Sequence, residues 1–510
     1  MEFEVLRDLI QVITKNKVKQ IEVLGNPGQE NSRTEQLYNG ISKGDYNSDE
    51  EAAVKLFQTN AKDASYRKAR LKLIRQLVNT SFFIDTQQSQ FSDRNSAFVN
   101  CYRDLAAAKI LIGKGATKAG VYLLQQILEQ SIKYELTELT CEITRAIRMQ
   151  YARSVADRVQ HEQIAALHNQ YEKKRYWENI AFDYHDRLIN HYISKRSPDH
   201  EIHKDASEYY AELKPKLKEV DTYEFYYNTF SIGLIMYFSA NDCVNALEIC
   251  QEALPLLTGR KTGNRGSLAA IALNQLACLT QLHMEEEDDR TAHACLDLTD
   301  EGSYNWFKAM SLYFYYAIYG KKYEKALEIY AKAISHQRYK LLSDNIRDEW
   351  QLFGGYLHLL AALGQLPKAE VEKVVGIYRY AKFSNDFKVL DKDKLGMNIP
   401  LVLLPVLFSL ATGDHQEYGR SVEALEKYRI RYLNNDLNRR SASFMKILFA
   451  LSDRPFRPGP ADRKIVKELE VLAAEGPRVA GQTFAVEIIP YEDLWKFLKP
   501  DDLHPDQESR

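Results

Sequence analysis

Apolar and polar positions recur with a helical period along most of the chain, and the clearest instance lies between Trp306 and Ala333, WFKAMSLYFYYAIYGKKYEKALEIYAKA. It predicts two amphipathic helices joined at Gly320. The second places Tyr323, Ala326, Tyr330 and Ala333 at the three- and four-residue spacing of one buried face. After Asn241, CVNALEICQEAL carries the same register in Cys243, Ala246, Cys250 and Ala253. A helical pair of this kind cannot bury its apolar face alone, so stacked neighbours are expected.

Similar pairs follow elsewhere. Ala97–Ile112 and Ala116–Ser131 are separated by Gly113, Lys114 and Gly115; further turns are expected at Ala240–Asn241, Gly364 and Gly413. The glycine-to-glycine steps of 44 and 49 residues from Gly320 through Gly413 exceed the shortest helix-pair repeats and lie nearer the larger ones. From Val155 to Ile193 the chain runs almost without a breaker, giving either one helix near 58 Å long or two with a soft break. KRSPDHEIHKD and MEEEDDR (284–290) are expected as exposed insertions.

The pair at 306–333 resembles a tetratricopeptide (TPR) repeat, in the aromatic positions of its first helix and the Tyr-x2-Ala-x3-Tyr-x2-Ala register of its second. The resemblance is good over that second helix and fair at 243–253; the glycine inside the first helix and the closing proline are missing. It implies a right-handed superhelix whose concave groove binds extended peptides or helices of other proteins, and it implies no chemistry. The expected fold is therefore all-α: a right-handed α-solenoid of TPR-like helix pairs over 89–453, with a long-helix insertion near 154–220. A small helical N-terminal module (1–88) precedes it, and a short mixed C-terminal cap and tail (454–510) follow.

In the N-terminal module, an amphipathic helix is expected at Glu2–Thr14, with short helices near Thr34–Lys43 and Ser48–Phe57. Ser48 and Glu51 fit a capping box. A longer basic helix spans Ala64–Phe83, with Arg67, Lys68, Arg70, Lys72 and Arg75 as its charges and Leu71, Ile74, Leu77 and Val78 as its apolar set. Short helix, turn and basic helix outline a helix-turn-helix, so these five cations are the candidate nucleic-acid contacts. No residue set that reads bases is visible, and a docking or capping role is preferred. At the other end, a helix at Ala461–Ala474, a strand at TFAVEII and a short helix at YEDLWKFL are expected.

Composition narrows the classes. At 510 residues the chain exceeds a single core, and glycine (23) and proline (14) are scarce, which favours long helices and short connections. The net charge of −2 leaves nucleic-acid binding to a local patch only. The longest apolar run, Ile399–Ala411, is too short for a bilayer and reads as a buried helix, so no membrane role is expected. The opening MEFEVLRDLI has acid where a secretory leader has positive charge. The six cysteines form no CxxC, and both features suggest the cytoplasm.

Signatures of chemistry are weak. His161 and His168 lie seven apart, too far to chelate one ion, and are expected at the surface; His200 and His203 are a poor metal pair on a loop. GKGATKAG (113–120) and GRKTGNRG (259–266) lack the strand and Lys-Ser/Thr of a P-loop, although Arg260, Lys261 and Arg265 suit an anionic partner. No enzyme activity, cofactor or metal is expected. The 32 tyrosines read chiefly as helix packing; if a peptide groove exists, Tyr226, Tyr227, Tyr315, Tyr316 and Arg338 are its candidates. The leading expectation is a non-enzymatic cytoplasmic scaffold for a protein or peptide. The alternative is a regulator with a nucleic-acid-binding N-terminal module and a TPR-like sensing domain.

Overall fold

The structure is a computed structural model that describes residues 3, 6, 10, 32–86, 92–155, 158–195, 200–260, 262–284, 289–377, 398–433, 438–452, 463–474 and 487–498. These residues are all-helical, with no strand among them. The chain divides into two compact units, Met1–Arg175 and Tyr176–Arg510.

In the first unit, α1 (Arg33–Lys43), α2 (Asp49–Ala52, continued by a π turn to Phe57) and α3 (Ala64–Ser81) close around Leu37, Ala52, Phe57, Tyr66, Leu73 and Leu77. Phe3, Leu6 and Ile10 join them at helical spacing. Each helix starts where its side chain can satisfy a free backbone N–H: Ser32, Ser48 and Asp63 accept from Glu35, Glu51 and Ser65. At Ser48 the box is nearly reciprocal, since the Asn47 N–H donates to Glu51 Oε2 at 2.9 Å. A second cluster forms between α4 (Asp93–Gly113), α5 (Thr117–Lys133), α6 (Thr137–Gln150) and the first turns of α7 (Arg158–Lys195). At 38 residues, α7 is one uninterrupted helix, and the division between units falls within it.

The second unit continues with α8 (His200–Leu213) and then helices in pairs: α9 (Tyr223–Ser239) with α10 (Cys243–Leu257), α11 (Arg265–Gln281) with α12 (Arg290–Asp297), and α13 (Tyr304–Tyr319) with α14 (Tyr323–Ser335). Next come α15 (Asp344–Ala362) with α16 (Lys368–Val375), α17 (Asn398–Thr412) with α18 (His415–Tyr432), and α19 (Arg439–Ser452) with α20 (Arg463–Ala474). Helix α21 (Tyr491–Leu498) closes the described chain. Neighbouring pairs also touch, α10 with α11, α11 with α13, α15 with α17 and α18 with α19, so one apolar cluster runs from Ala181 to Leu498. Its centre is aromatic: Phe314 stacks on Phe353 with centroids 4.3 Å apart, and both meet Trp350 edge-on. The apolar run predicted as a buried helix is α17, with Leu403, Leu404, Val406 and Leu407 inside.

One turn recurs throughout. After α4, α5, α9, α11, α13, α15 and α17 a single residue takes positive φ: Gly115, Glu135, Asn241, His283, Lys321, Gly364 and Gly413. The next residue's N–H then returns to the carbonyl five residues back at 2.8–3.0 Å, as in Lys322 to Ala317 and Gln365 to Leu360. This is the Schellman closure, which satisfies carbonyls a helix end would otherwise leave free. Residues five, nine and twelve beyond the left-handed position then face inward. They are Gly120, Leu124 and Ile127; Thr140, Thr144 and Ile147; Ala246, Cys250 and Ala253; Ala326, Tyr330 and Ala333; Tyr418, Val422 and Leu425. In α12 the last two of the set, Ala292 and Cys295, are buried as well. The turn sets the phase of the helix that follows.

Two sequence expectations differ. Glu487–Ile489, the described part of TFAVEII, forms bends and no strand; the remainder lies outside the described residues. KRSPDHEIHKD is helical from His200 onward, because Ile202 and Ala206 supply an inward face; residues 196–199 are outside the described set.

Candidate functional site

The α13–α14 pair carries the densest aromatic packing, and there the groove candidates separate. Tyr315 is fully buried between Phe314 and Phe353, and Tyr316 is buried with the Lys322 ammonium 5.7 Å from its ring centre. Tyr226 is buried too, donating its hydroxyl to Leu217 O at 3.1 Å under the Arg260 guanidinium. Tyr227 is half-buried, edge-on to His185. As groove residues, Tyr226, Tyr315 and Tyr316 are therefore corrected: inward positions of α9 and α13 place their rings in the core. Arg338 is exposed.

Arg338 belongs to a short 3-10 turn, Gln337–Leu341, beside the start of α13. Trp306 packs against His336 with centroids 5.3 Å apart, and Phe307 meets Tyr339 at 6.3 Å. Gly302, at φ 74°, leaves room for the His336 ring, which a Cβ there would meet at 2.1 Å. Over this rigid base Tyr304 is 60% exposed and Leu341 82% exposed. An exposed tyrosine and arginine, two residue types enriched at interface hot spots, stand with an exposed leucine at the open end of one helix pair. Sequence reading found Arg338 but not Tyr304 or Leu341, since periodicity assigns no exposure to residues outside a helix's regular face.

The turn end of the same pair is covered by the chain's own segment 487–498. Tyr319 donates to Glu487 O at 2.8 Å, Lys321 lies 3.5 Å from Asp493, and Tyr323 meets Phe497 edge-on. Buried Arg440 grips Glu487 through Nε and Nη2, at 2.6 and 2.9 Å, and reaches Glu492. Burial disfavours its charge, yet its hydrogen bonds to Glu487 and Glu492 hold the guanidinium above its ordinary value; burial raises the Glu487 carboxyl. Tyr491 stacks on Phe444 and shares a hydrogen bond with Ser441.

In the N-terminal module, Arg70 is corrected as a nucleic-acid contact. It is buried on the inner face of α3, and its Nη1 donates to Asp49 at 2.8 Å beside the Tyr66 hydroxyl on the same carboxylate. Arg67, Lys68, Lys72 and Arg75 are exposed. The apolar set also shifts: Tyr66, Leu73 and Leu77 face inward, whereas Leu71 and Val78 face out. A helical face centred one position away satisfies the same periodicity, and packing chooses between them.

The remaining chemical candidates are used internally. His168, expected at the surface, is buried with Nδ1 3.0 Å from Thr144 Oγ1, and burial lowers its pKa. His203 Nδ1 lies 2.9 Å from Met236 O. Arg260 pairs with Asp221 and Arg265 donates to Asp297 O, so neither waits for an anionic partner; Lys261 lies outside the described residues. Asp289, from the stretch expected as an exposed insertion, is buried and accepts from Tyr313 and Lys322; 285–288 are not described. All six cysteines are buried thiols outside any disulfide, and burial pushes the Cys101 and Cys250 thiols up to about 11 and about 12. Among the described residues, no group of three or more His, Cys, Asp or Glu is placed to hold a metal ion, and no helix is long and apolar enough to cross a membrane.

Comparison with known proteins gives no match to any family model, curated protein or solved structure.

Proposed function

We infer that this chain is a non-enzymatic scaffold that binds a protein or peptide, built on a TPR-like right-handed α-solenoid and acting in the cytoplasm. The observation that carries the reading is the open end of the α13–α14 pair, where Tyr304, Arg338 and Leu341 stand exposed over a packed aromatic base. The packed base holds the backbone that presents them, which lowers the cost of ordering that backbone on binding. The recurrent left-handed turn and its inward register support the repeat reading, because they make successive pairs equivalent despite unlike sequences. The nucleic-acid alternative loses Arg70, and with it the centre of its basic set.

The test is affinity purification of the full chain from its native cells, with and without nuclease, beside Leu341→Asp and Arg338→Glu. The expected result is a defined protein partner that survives nuclease, binds the purified chain directly, and binds either variant at least about tenfold more weakly. Recovery of DNA or RNA alone, or direct binding that both variants leave unchanged, overturns the assignment.

A further inference from the structure

The outer face of α3 carries a second surface, independent of the α13–α14 pair. From Ala64 to Ile84 the chain contains no acidic residue, whereas Arg67, Lys68, Lys72 and Arg75 all point to solvent. None of the four pairs with an acidic side chain among the described residues. Leu71 between them, and Val78 and Phe82 one and two turns beyond Arg75, are 54, 43 and 47% exposed. The inner face of the same helix is already occupied by Tyr66, Arg70, Leu73 and Leu77, so these outward apolar groups contribute nothing to the module's own core.

Their spacing is specific. Ala64, Lys68, Leu71, Arg75, Val78 and Phe82 follow one another at alternating intervals of four and three, the seam along which one α-helix packs against another. Leu71 and Val78 share one heptad position; Lys68, Arg75 and Phe82 share the other. Lys72 and Arg67 flank the seam on its two sides. Over this length the seam extends about 27 Å, or five helical turns.

We propose that this face docks an acidic amphipathic α-helix of a partner protein, with aliphatic side chains against Leu71 and Val78 and carboxylates facing Lys68, Lys72 and Arg75. Three other occupants fit less well. A second copy of the same face sets cation against cation. A nucleic acid would use the four cations and leave Leu71, Val78 and Phe82 without a role. A bilayer would take up the apolar groups, but Lys68 and Arg75 lie in the middle of the strip that would have to insert, not at its margins.

The experiment pans a displayed library of five-turn helical peptides, randomised at seam and flanking positions, on the full-length chain. Lys68→Glu/Arg75→Glu serves as the counter-target. The expected result is enrichment of aliphatic seams bordered by Asp and Glu. The winning peptide should bind about tenfold or more weakly to the charge-reversed chain and to Leu71→Ser/Val78→Ser. All substituted side chains are exposed, and unchanged far-UV dichroism and melting confirm that each variant folds; Lys68→Gln/Arg75→Gln replaces the reversal if it does not. No enrichment over background overturns the proposal, as does a winner that binds the variants equally. So does tighter binding of a random-sequence DNA duplex or phosphatidylserine vesicles that Leu71→Ser/Val78→Ser leaves unchanged.

Discussion

A tyrosine buried in a helical core must place its hydroxyl, and this protein does so by spanning elements. Tyr226, Tyr319, Tyr356 and Tyr418 each donate to a backbone carbonyl outside their own helix, at Leu217, Glu487, Pro400 and Leu448. The ring supplies apolar burial, and the hydroxyl fixes which segment lies beside it. Among the described residues Tyr210 and Tyr315 depart from this, for their buried hydroxyls have no hydrogen-bond partner. The two cases give opposite predictions. Tyr356→Phe removes the hydroxyl bond to Pro400 O and should cost about 0.5–1.5 kcal/mol in denaturant unfolding, whereas Tyr315→Phe removes an unpaired polar atom and should be neutral or stabilising. Equal losses at the two sites would show that the hydroxyls do not act as argued. The abundance of tyrosine was visible in the sequence and its packing role expected; which hydroxyl finds a carbonyl depends on neighbours up to 168 residues away.

At the scale of the element, the recurrent left-handed turn organises the helix pairs. Glycine and asparagine turns were readable from sequence because those residues adopt positive φ at little cost. Lys321, Glu135 and His283 occupy the same conformation at φ 57°, 51° and 51° without that advantage; Gly320 marks the first of these turns, and the other two carry no compositional mark. Lys321→Gly relieves that strain but also removes the Lys321–Asp493 contact, so against Lys321→Ala, which loses the contact and keeps the strain, it should be more stable by up to about 1 kcal/mol; Gly364→Ala should destabilise the second unit by about 1–2 kcal/mol. Thermal unfolding measures these differences; a Lys321→Gly variant no more stable than Lys321→Ala would refute the assignment of strain. Measured between left-handed residues from Asn241 to Gly413, the steps are 42, 38, 43 and 49 residues, so the spacing itself varies, while the inward register follows each turn except the one before α16. There Pro367 delays the helix start and shifts its phase.

Across the whole molecule, three histidines tie folding to pH. Burial is the leading cause that lowers the pKa of His168, His185 and His358 below the ordinary 6.5. Just below pH 6.5 the unfolded chain therefore binds more protons than the folded one, and stability must fall as pH falls through that window. Above it all three are neutral in both states and the effect vanishes. The melting temperature should decline from pH 7 toward 5, before the carboxylates, with ordinary values of 3.8 and 4.5, begin to titrate. His168→Gln and His358→Gln should each flatten that decline. A pH profile that neither substitution alters would remove these histidines as its cause.

What the sequence determined by itself is local. Spacing of three and four marked helices, and Ser, Asp, Gly and Asn marked many of their ends, because capping and left-handed turns are satisfied within a few residues. That was enough for helices along most of the chain and for the inward faces of α10 and α14, while one long α7 and two helices with a soft break both stayed open. Tertiary structure alone decided which of two adjacent faces of α3 turned inward, burying Arg70 against Asp49 and leaving Leu71 outside. It also placed Tyr315 and Tyr316 inside while Tyr304 and Leu341 stayed exposed, and it seated Glu487–Leu498 on helices far back in the chain. The reason is physical: a helical period fixes angles around an axis, but the neighbour against which that axis lies is set by side chains distant in sequence.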